Sequence, residues 1–158
     1  MLSVEERLVQ TLAEMGLTVS SAESCTGGMI ASTIIDVVGA SEVYNEGFIT
    51  YSNEAKMKYL NVSEEALEKY GAVSEEVVKE MAVGCRRATG CDVSVVTSGI
   101  AGPGGGSIEK PVGLVYIGCA YKEEVLVNCF KFEGDRTQIR KQATDEAIKM
   151  ALDLLENY

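Results

Sequence analysis

Ser24 stands in the stretch SSAESCTGGMIAS, where small polar residues give way to two glycines and then to an apolar run. This change predicts a strand followed by a helix, and loops at strand ends are where α/β folds usually carry their sites. Free N–H groups at a helix N-terminus stabilise negative charge. Those of Thr26, Gly27 and Gly28 could therefore bind the oxyanion of a tetrahedral intermediate. Ser24 is therefore a candidate nucleophile, although this stretch alone favours the alternative that Ser24 or Thr26 only caps the helix and the glycines only make room for packing.

The chain contains no histidine, which excludes Ser-His-Asp and Cys-His catalysis and imidazole zinc sites. A base for Ser24 must then be a lysine, a tyrosine or a carboxylate. Lys56, expected in the first turn of a helix, is the natural candidate, and Tyr51, expected at a strand end, could donate a hydrogen bond or relay a proton. As a base Lys56 must be neutral near pH 7, so its pKa must fall by roughly 3 units. The alternative is a surface lysine and a core tyrosine.

A glycine-rich loop, IAGPGGGSIEKP, follows the strand predicted over residues 92–99. It has neither the GK[ST] ending of a Walker loop nor the spacing GxGxxG. The N–H groups of consecutive glycines can still form an anion-binding nest, which makes Gly102 and Gly105 candidate substrate ligands. The alternative is a mobile connection between two strands.

Two arginines open the last predicted helix, in the stretch GDRTQIR. Arg136 and Arg140 are one turn apart and share nearly the same helix face. A cation is unfavourable beside a helix N-terminus, so an arginine there indicates an anion held between the side chain and the helix. Both arginines are therefore candidate substrate ligands, unless Arg136 is a solvated side chain that pairs with Asp135 or Glu133.

The composition is that of an ordinary soluble globular protein, with 46% hydrophobic and 24% charged residues. A net charge of −10 disfavours direct binding of nucleic acid. The apolar stretches are too short for a bilayer and no export signal is visible, so no membrane contact and a cytoplasmic location are expected. The five cysteines show no CxxC spacing, which predicts buried thiols rather than disulfides or a metal site.

Periodicity and capping patterns predict one domain over residues 1–158, a three-layer α/β/α fold with a mixed sheet of about five strands. The sheet is mixed because two strands are joined by a short Lys-Glu turn into a hairpin. The expected helices cover residues 3–16, 26–39, 52–60, 63–71, 74–90 and 135–158. The expected strands cover residues 17–23, 44–52, 92–99, 112–121 and 124–134. Exposed edges of the hairpin make a homodimer a reasonable expectation.

Five motifs occur in order along the chain: AESCTGG, GFITYSNEAK, YGAVSEEVVKEMA, SGIAGPGGG followed by KPVG, and GDR followed by IR. Together they resemble the CinA C-terminal domain family, from about residue 4 to about residue 155. The characterised enzymes of that family are nicotinamide-nucleotide amidohydrolases. No molybdopterin-binding-like domain precedes the motifs, so the chain looks like the stand-alone form.

The resemblance implies hydrolysis of the carboxamide of nicotinamide mononucleotide (NMN) to nicotinate mononucleotide and ammonia, a reaction of pyridine-nucleotide salvage and NAD metabolism. It implies Ser24 as the nucleophile, Lys56 as the base, Tyr51 as an assisting group and Arg136 as a substrate ligand. No cofactor or metal is expected, and the expected partner is a small pyridine nucleotide. Two alternatives are a non-catalytic interaction domain linked to competence or DNA damage, and an amidohydrolase of another small nucleotide.

Overall fold

Five strands form the central sheet of the computed structural model, which describes all 158 residues. They are β1 (Val19–Glu23), β2 (Phe48–Ile49), β3 (Val93–Gly99), β4 (Leu114–Tyr121) and β5 (Glu124–Lys131). In the sheet they lie in the order β2–β1–β3–β4–β5. Strand β1 is parallel to β2 and β3, whereas β4 is antiparallel to β3 and β5. The predicted mixed sheet of five strands is confirmed.

Helices cover both faces of this sheet, which confirms the three-layer architecture of a single domain. Their bounds are α1 Val4–Met15, α2 Met29–Ile35, α3 Asn53–Leu60, α4 Glu64–Tyr70, α5 Glu75–Thr89 and α6 Arg136–Glu156, with a 3-10 helix at Ala40–Glu42. On one face, α1, α2 and α6 enclose the larger apolar core, and on the other face α3, α4 and α5 enclose the smaller one. None of these helices combines the length and the hydropathy that a membrane crossing needs.

Alternating side chains along the inner strands supply both cores. Val93 and Val95 of β3 face the layer of α6, whereas Val96 faces the layer of α5. In β4, Gly118 allows α5 to approach, because a Cβ at this position would lie 2.8 Å from Cγ1 of Val78. The inner strands are therefore buried on both faces, as in sheets that helices cover on each side.

Two elements differ most from the bounds that the sequence predicts, and both are shorter. Helix α2 begins at Met29 and not at residue 26, because Gly27 and Gly28 have φ of 56° and 104°, values that a right-handed helix does not contain. Strand β2 has two residues instead of the nine expected. Before it, the hydroxyl of Ser20 donates to the carbonyl of Glu46 (2.7 Å), so that a side chain replaces the ladder bond there.

Gly84 sets the distance between α3 and α5. A Cβ at this position would lie 1.8 Å from the carbonyl oxygen of Leu60, the last residue of α3. The backbone of α5 therefore touches the end of α3 directly, which only glycine allows. Because α3 also contains Lys56, this contact bears on the position of the lysine.

Gly84→Ala tests this close approach through the sign of its effect. In an open helical position the change would stabilise the protein by up to about 1 kcal/mol, because alanine has the higher helix propensity. Here the added methyl group must push α3 away, so we expect the free energy of unfolding to fall by about 1–3 kcal/mol in urea denaturation. Val83→Ala, on the solvent side of the same helix, is the matched control and should change it by less than about 0.5 kcal/mol. A gain in stability for Gly84→Ala would contradict the packing.

Candidate active site

Ser24 and Lys56 meet at the carboxyl end of the parallel strands. Ser24 directly follows β1, and its N–H donates to the carbonyl of Thr97 in β3 (3.1 Å). Lys56 lies in the first turn of α3, which Ser52 caps. The Nζ of Lys56 is 3.1 Å from Oγ of Ser24 and 2.7 Å from the carbonyl oxygen of Thr50. The structure thus brings together the two groups that the sequence pairs as nucleophile and base.

Lys56 is buried without a carboxylate partner. Only 1% of the residue is exposed, and both ion pairs of the molecule lie elsewhere. Desolvation penalises the charged ammonium and lowers the pKa of Lys56 from 10.5 to about 8. At pH 7 about a tenth of the molecules then carry a neutral amine, which can accept a proton. The alternative of a surface lysine is therefore wrong. The pKa of Lys56 is shifted downward, which is the direction that a lysine base requires.

Cys25 is a second candidate nucleophile beside the cavity, and its environment disfavours the thiolate. Burial raises the pKa of its thiol to about 11, so that almost none is thiolate at neutral pH. Its main-chain N–H has no hydrogen-bond partner in the protein. In serine hydrolases the N–H that follows the nucleophile commonly serves the oxyanion. The unpaired N–H of Cys25 is therefore a candidate donor for an oxyanion.

Glu23 is a site residue that the sequence analysis did not single out. Its carboxylate is 1% exposed and accepts hydrogen bonds from Oγ1 of Thr26 (2.6 Å) and from the N–H groups of Ile30 (2.9 Å) and Ala31 (3.0 Å). It thereby binds the first free N–H groups of α2, whose N-cap, Gly28, has no side chain to do so. An acidic residue that ends a buried strand shortly before a helix is the signal that could have identified it.

Thr26, Gly27 and Gly28 form the turn from β1 into α2. The N–H of Gly27 donates to the carbonyl of Ser24 (3.1 Å), and the hydroxyl of Thr26 lies 2.9 Å from Oγ1 of Thr97. None of the three lines the cavity beside Ser24. Gly27 therefore has no free N–H for an oxyanion, whereas the N–H groups of Thr26 and Gly28 have no partner in the protein, and the oxyanion hole around Thr26–Gly28 stays a prediction.

The cavity beside Ser24 has a volume of about 260 Å³ and a floor of main chain from the glycine-rich loop. Ala101, Gly102, Gly104 and Gly105 line it, and none of their N–H groups has a partner in the protein. Such unpaired N–H groups form the kind of concave surface that binds anions. A wider groove between α1 and residues 36–42 contains acidic and apolar side chains and no base beside a nucleophile.

Arg136 and Tyr51 lie together at the mouth of this cavity. The guanidinium of Arg136 donates to the carbonyl of Gly102 (2.7 Å) and to Oη of Tyr51 (3.2 Å). It pairs with neither acidic neighbour, since Asp135 caps α6. Tyr51 is 64% exposed, so the alternative of a core tyrosine is wrong, and its hydroxyl forms no hydrogen bond with Ser24 or Lys56.

Arg140 does not line the cavity, in contrast to its predicted role as a substrate ligand. Its Nε donates to the carbonyl of Cys25 (2.9 Å) and its Nη2 to the carbonyl of Thr26 (3.2 Å). The side chain reaches from α6 to the main chain that follows Ser24. Arg140 therefore holds this loop from the side of the helix layer.

Sequence comparison finds the family description "CinA C-terminal domain" over residues 1–155. A CinA-like protein from Kosmotoga olearia is 52% identical over 141 residues, and a CinA-like protein from Geobacter sp. (strain M21) is 50% identical over 137. These stretches cover 89% and 87% of this chain. The chain spans only about a third of the length of these relatives, 34% and 33%, and 38% of a relative from Clostridium beijerinckii. The names of these two CinA-like proteins state no reaction.

Solved structures have the same fold over nearly their whole length. The competence/damage inducible protein CihA from Agrobacterium tumefaciens superposes with a TM-score of 0.92 at 39% identity, covering 99% of this chain and 98% of that one. A CinA superfamily protein from Klebsiella pneumoniae superposes with a TM-score of 0.94 at 32% identity, covering 98% and 97%. The family match over residues 1–155 and the shared fold show that the chain belongs to the CinA C-terminal domain family.

Proposed function

We propose that the protein hydrolyses the carboxamide of NMN to nicotinate mononucleotide and ammonia. The observation that carries the proposal is the contact of 3.1 Å between the amine of Lys56 and the hydroxyl of Ser24, in a buried site that lowers the pKa of the amine. A neutral amine at this distance is the activating base that a serine nucleophile needs. The resemblance of the five motifs to those of nicotinamide-nucleotide amidohydrolases supports a pyridine nucleotide as the substrate.

In the first half of the reaction, Oγ of Ser24 attacks the carbon of the carboxamide and Lys56 accepts the hydroxyl proton. Negative charge then develops on the amide oxygen, and the free N–H of Cys25 is the nearest main-chain donor in sequence for it. The ammonium of Lys56 next protonates the departing nitrogen, so that ammonia leaves and a nicotinoyl ester of Ser24 remains. The proton of the serine hydroxyl is thus transferred, through Lys56, to the ammonia that leaves.

In the second half, water hydrolyses this ester. Lys56, again neutral, accepts a proton from the water, the new bond forms at the ester carbon, and Oγ of Ser24 leaves with the proton that Lys56 returns. The carbonyl of Thr50, 2.7 Å from Nζ, keeps the amine aimed at Ser24 during both halves. Each step requires only side chains and main-chain groups of this chain.

The phosphate of the substrate has two sets of donors at the other end of the cavity. Arg136 is the cationic side chain at the mouth, and the N–H groups of Gly102 and Gly105 are unpaired beside it. Charge-assisted hydrogen bonds from a guanidinium are among the strongest that a phosphate can accept. The nucleotide would therefore lie with its carboxamide at Ser24 and its phosphate near Arg136.

The nucleophile and the base are tested by ammonia release from NMN in the presence of a chelator. We expect Ser24→Ala and Lys56→Met each to reduce kcat by about 10³-fold or more, because two groups that act as a unit lose most of the activity together. Cys25→Ala is the matched control at the neighbouring nucleophile and should keep most of the activity. Near-normal turnover by Ser24→Ala would contradict the nucleophile. No release by the native protein from any pyridine nucleotide would contradict the reaction and favour an interaction domain.

The pH dependence of kcat/KM reports the base. The active form of Lys56 is the deprotonated one, so activity should rise about tenfold per pH unit below the pKa of about 8 and become level above it. A buffer series from pH 6 to pH 10 with NMN measures this profile. Cys25→Ala should keep the rise in activity and move the midpoint at most slightly downward, because Cys25 is the smaller influence that raises the pKa of Lys56, and this separates the amine from the thiol. A profile that is flat between pH 6 and pH 8 would contradict a lysine base.

The phosphate contact is tested by comparing NMN with nicotinamide riboside, which lacks the phosphate. We expect the native protein to prefer NMN by about 10–100-fold in kcat/KM, the range of one or two charge-assisted hydrogen bonds. Arg136→Met should lower this preference to near parity by weakening NMN alone. Arg7→Met, which removes an arginine that pairs with Glu156, is the matched control. An unchanged preference in Arg136→Met would assign the phosphate to other groups.

A further inference from the structure

We propose that Glu23 and Arg140 are positioning residues which hold the nucleophile loop, residues 24–28, from opposite sides. The two side chains are oppositely charged but form no ion pair with each other, since the ion pairs of the molecule involve other residues. Each instead contacts the loop through its own hydrogen bonds. The kinetic part of the proposal rests on the proposed hydrolysis, whereas the reactivity of Ser24 can be measured without it.

Glu23 holds the inner side of the nucleophile loop. One carboxylate oxygen accepts from both the hydroxyl of Thr26 and the N–H of Ile30, and the other accepts from the N–H of Ala31. A planar group thus fixes the middle of the loop and the start of α2 relative to each other. A buried carboxylate needs such donors, because an unpaired one is strongly destabilising.

Thr26 extends this connection to the neighbouring strand. Its hydroxyl lies 2.9 Å from Oγ1 of Thr97, while the carbonyl of Thr97 accepts from the N–H of Ser24 (3.1 Å). The loop is therefore tied to β3 on both sides of Cys25. Thr26 and Thr97 are both fully buried, so that water does not compete for these bonds.

Arg140 holds the outer side of the loop. It donates to the carbonyls of Cys25 and Thr26, and Gly27 lets it come close, since a Cβ there would lie 3.1 Å from Nη2. This arrangement explains why the loop needs glycine at two points. At Gly27 the guanidinium approaches the main chain, and at Gly28 the backbone has φ of 104°.

The loop conformation sets the direction of the candidate oxyanion donor. The carbonyl of Ser24 accepts from the N–H of Gly27 and therefore points into the turn. In a planar trans peptide the N–H of Cys25 points the opposite way, out of the turn. Glu23 also binds the N-terminal N–H groups of α2, so this helix does not offer them to the substrate. Glu23 and Arg140 thus position both Oγ of Ser24 and the N–H that follows it.

Glu23→Gln is the decisive variant, because it keeps the shape and replaces one accepting oxygen by an NH₂ group that cannot accept an N–H. We expect kcat for NMN to fall by about 10–100-fold with KM changed by less than about threefold, since misplacement by about 1 Å can reduce a rate 10²-fold. The rate at which a fluorophosphonate probe labels Ser24 should fall by a similar factor. Glu42→Gln, an exposed acid on the 3-10 helix, is the matched control and should behave as the native protein.

Arg140→Met and the double variant Glu23→Gln/Arg140→Met test whether Glu23 and Arg140 act on the same loop. Arg140→Met alone should slow labelling of Ser24 in the same way, with Arg140→Lys retaining an intermediate rate. The loss in the double variant should be clearly smaller than the product of the single losses, because a loop that is already displaced has less to lose. Thr26→Val, which removes one of the donors to Glu23, replaces Glu23→Gln if that protein does not fold.

The outcomes separate this proposal from the proposed function. Labelling of Ser24 at the native rate in Glu23→Gln and Thr26→Val would overturn the positioning role of Glu23. A loss in the double variant equal to the product of the single losses would overturn the shared loop. Native protein that is labelled at Ser24 but releases no ammonia from NMN would overturn the proposed function alone, and slower labelling in the variants would still support the positioning role.

Discussion

The contact between the amine of Lys56 and the hydroxyl of Ser24 depends on keeping a lysine out of water without an acidic partner. Most of the surrounding structure serves this requirement. The short strand β2 places the carbonyl of Thr50 where it accepts from Nζ, and Gly84 lets α5 close over the end of α3. Desolvation then lowers the pKa of the amine to about 8, a shift that no single neighbouring charge explains.

The topology concentrates the chemistry at one edge of the sheet. Residues after β1, β2 and β3 meet there because these strands are parallel and adjacent, with β1 in the middle. The chain has a net charge of −10, yet Arg136 and the unpaired N–H groups of Gly102 and Gly105 line the cavity at this edge, while Glu23 and Arg140 bind the main chain around it. An acidic protein thus still presents a local cation beside free main-chain donors, a combination that favours anions.

Much of this arrangement could be predicted from the sequence, and the remainder depends on contacts that pattern alone does not contain. Capping residues and glycines located most helices, and the absence of histidine led to Lys56 as the base. The same reasoning took Gly27 and Gly28 as part of an oxyanion hole, because a helix N-terminus is usually free to bind an anion. Here Glu23 binds the N–H groups at the N-terminus of α2, and Arg140 binds carbonyls that lie far away in sequence. Long-range hydrogen bonds of main-chain groups leave no periodic signal.

One buried environment acts on the amine of Lys56 and on the thiol of Cys25 in opposite directions. Desolvation disfavours whichever form is charged, so it lowers the pKa of Lys56 to about 8 and raises that of the Cys25 thiol to about 11. The same burial therefore favours the neutral form of both the amine and the thiol. The amine can then activate a hydroxyl that never needs to ionise in the ground state, whereas the thiol cannot become the thiolate on which cysteine chemistry depends. The burial that a lysine base requires therefore also disfavours the thiolate of the neighbouring cysteine.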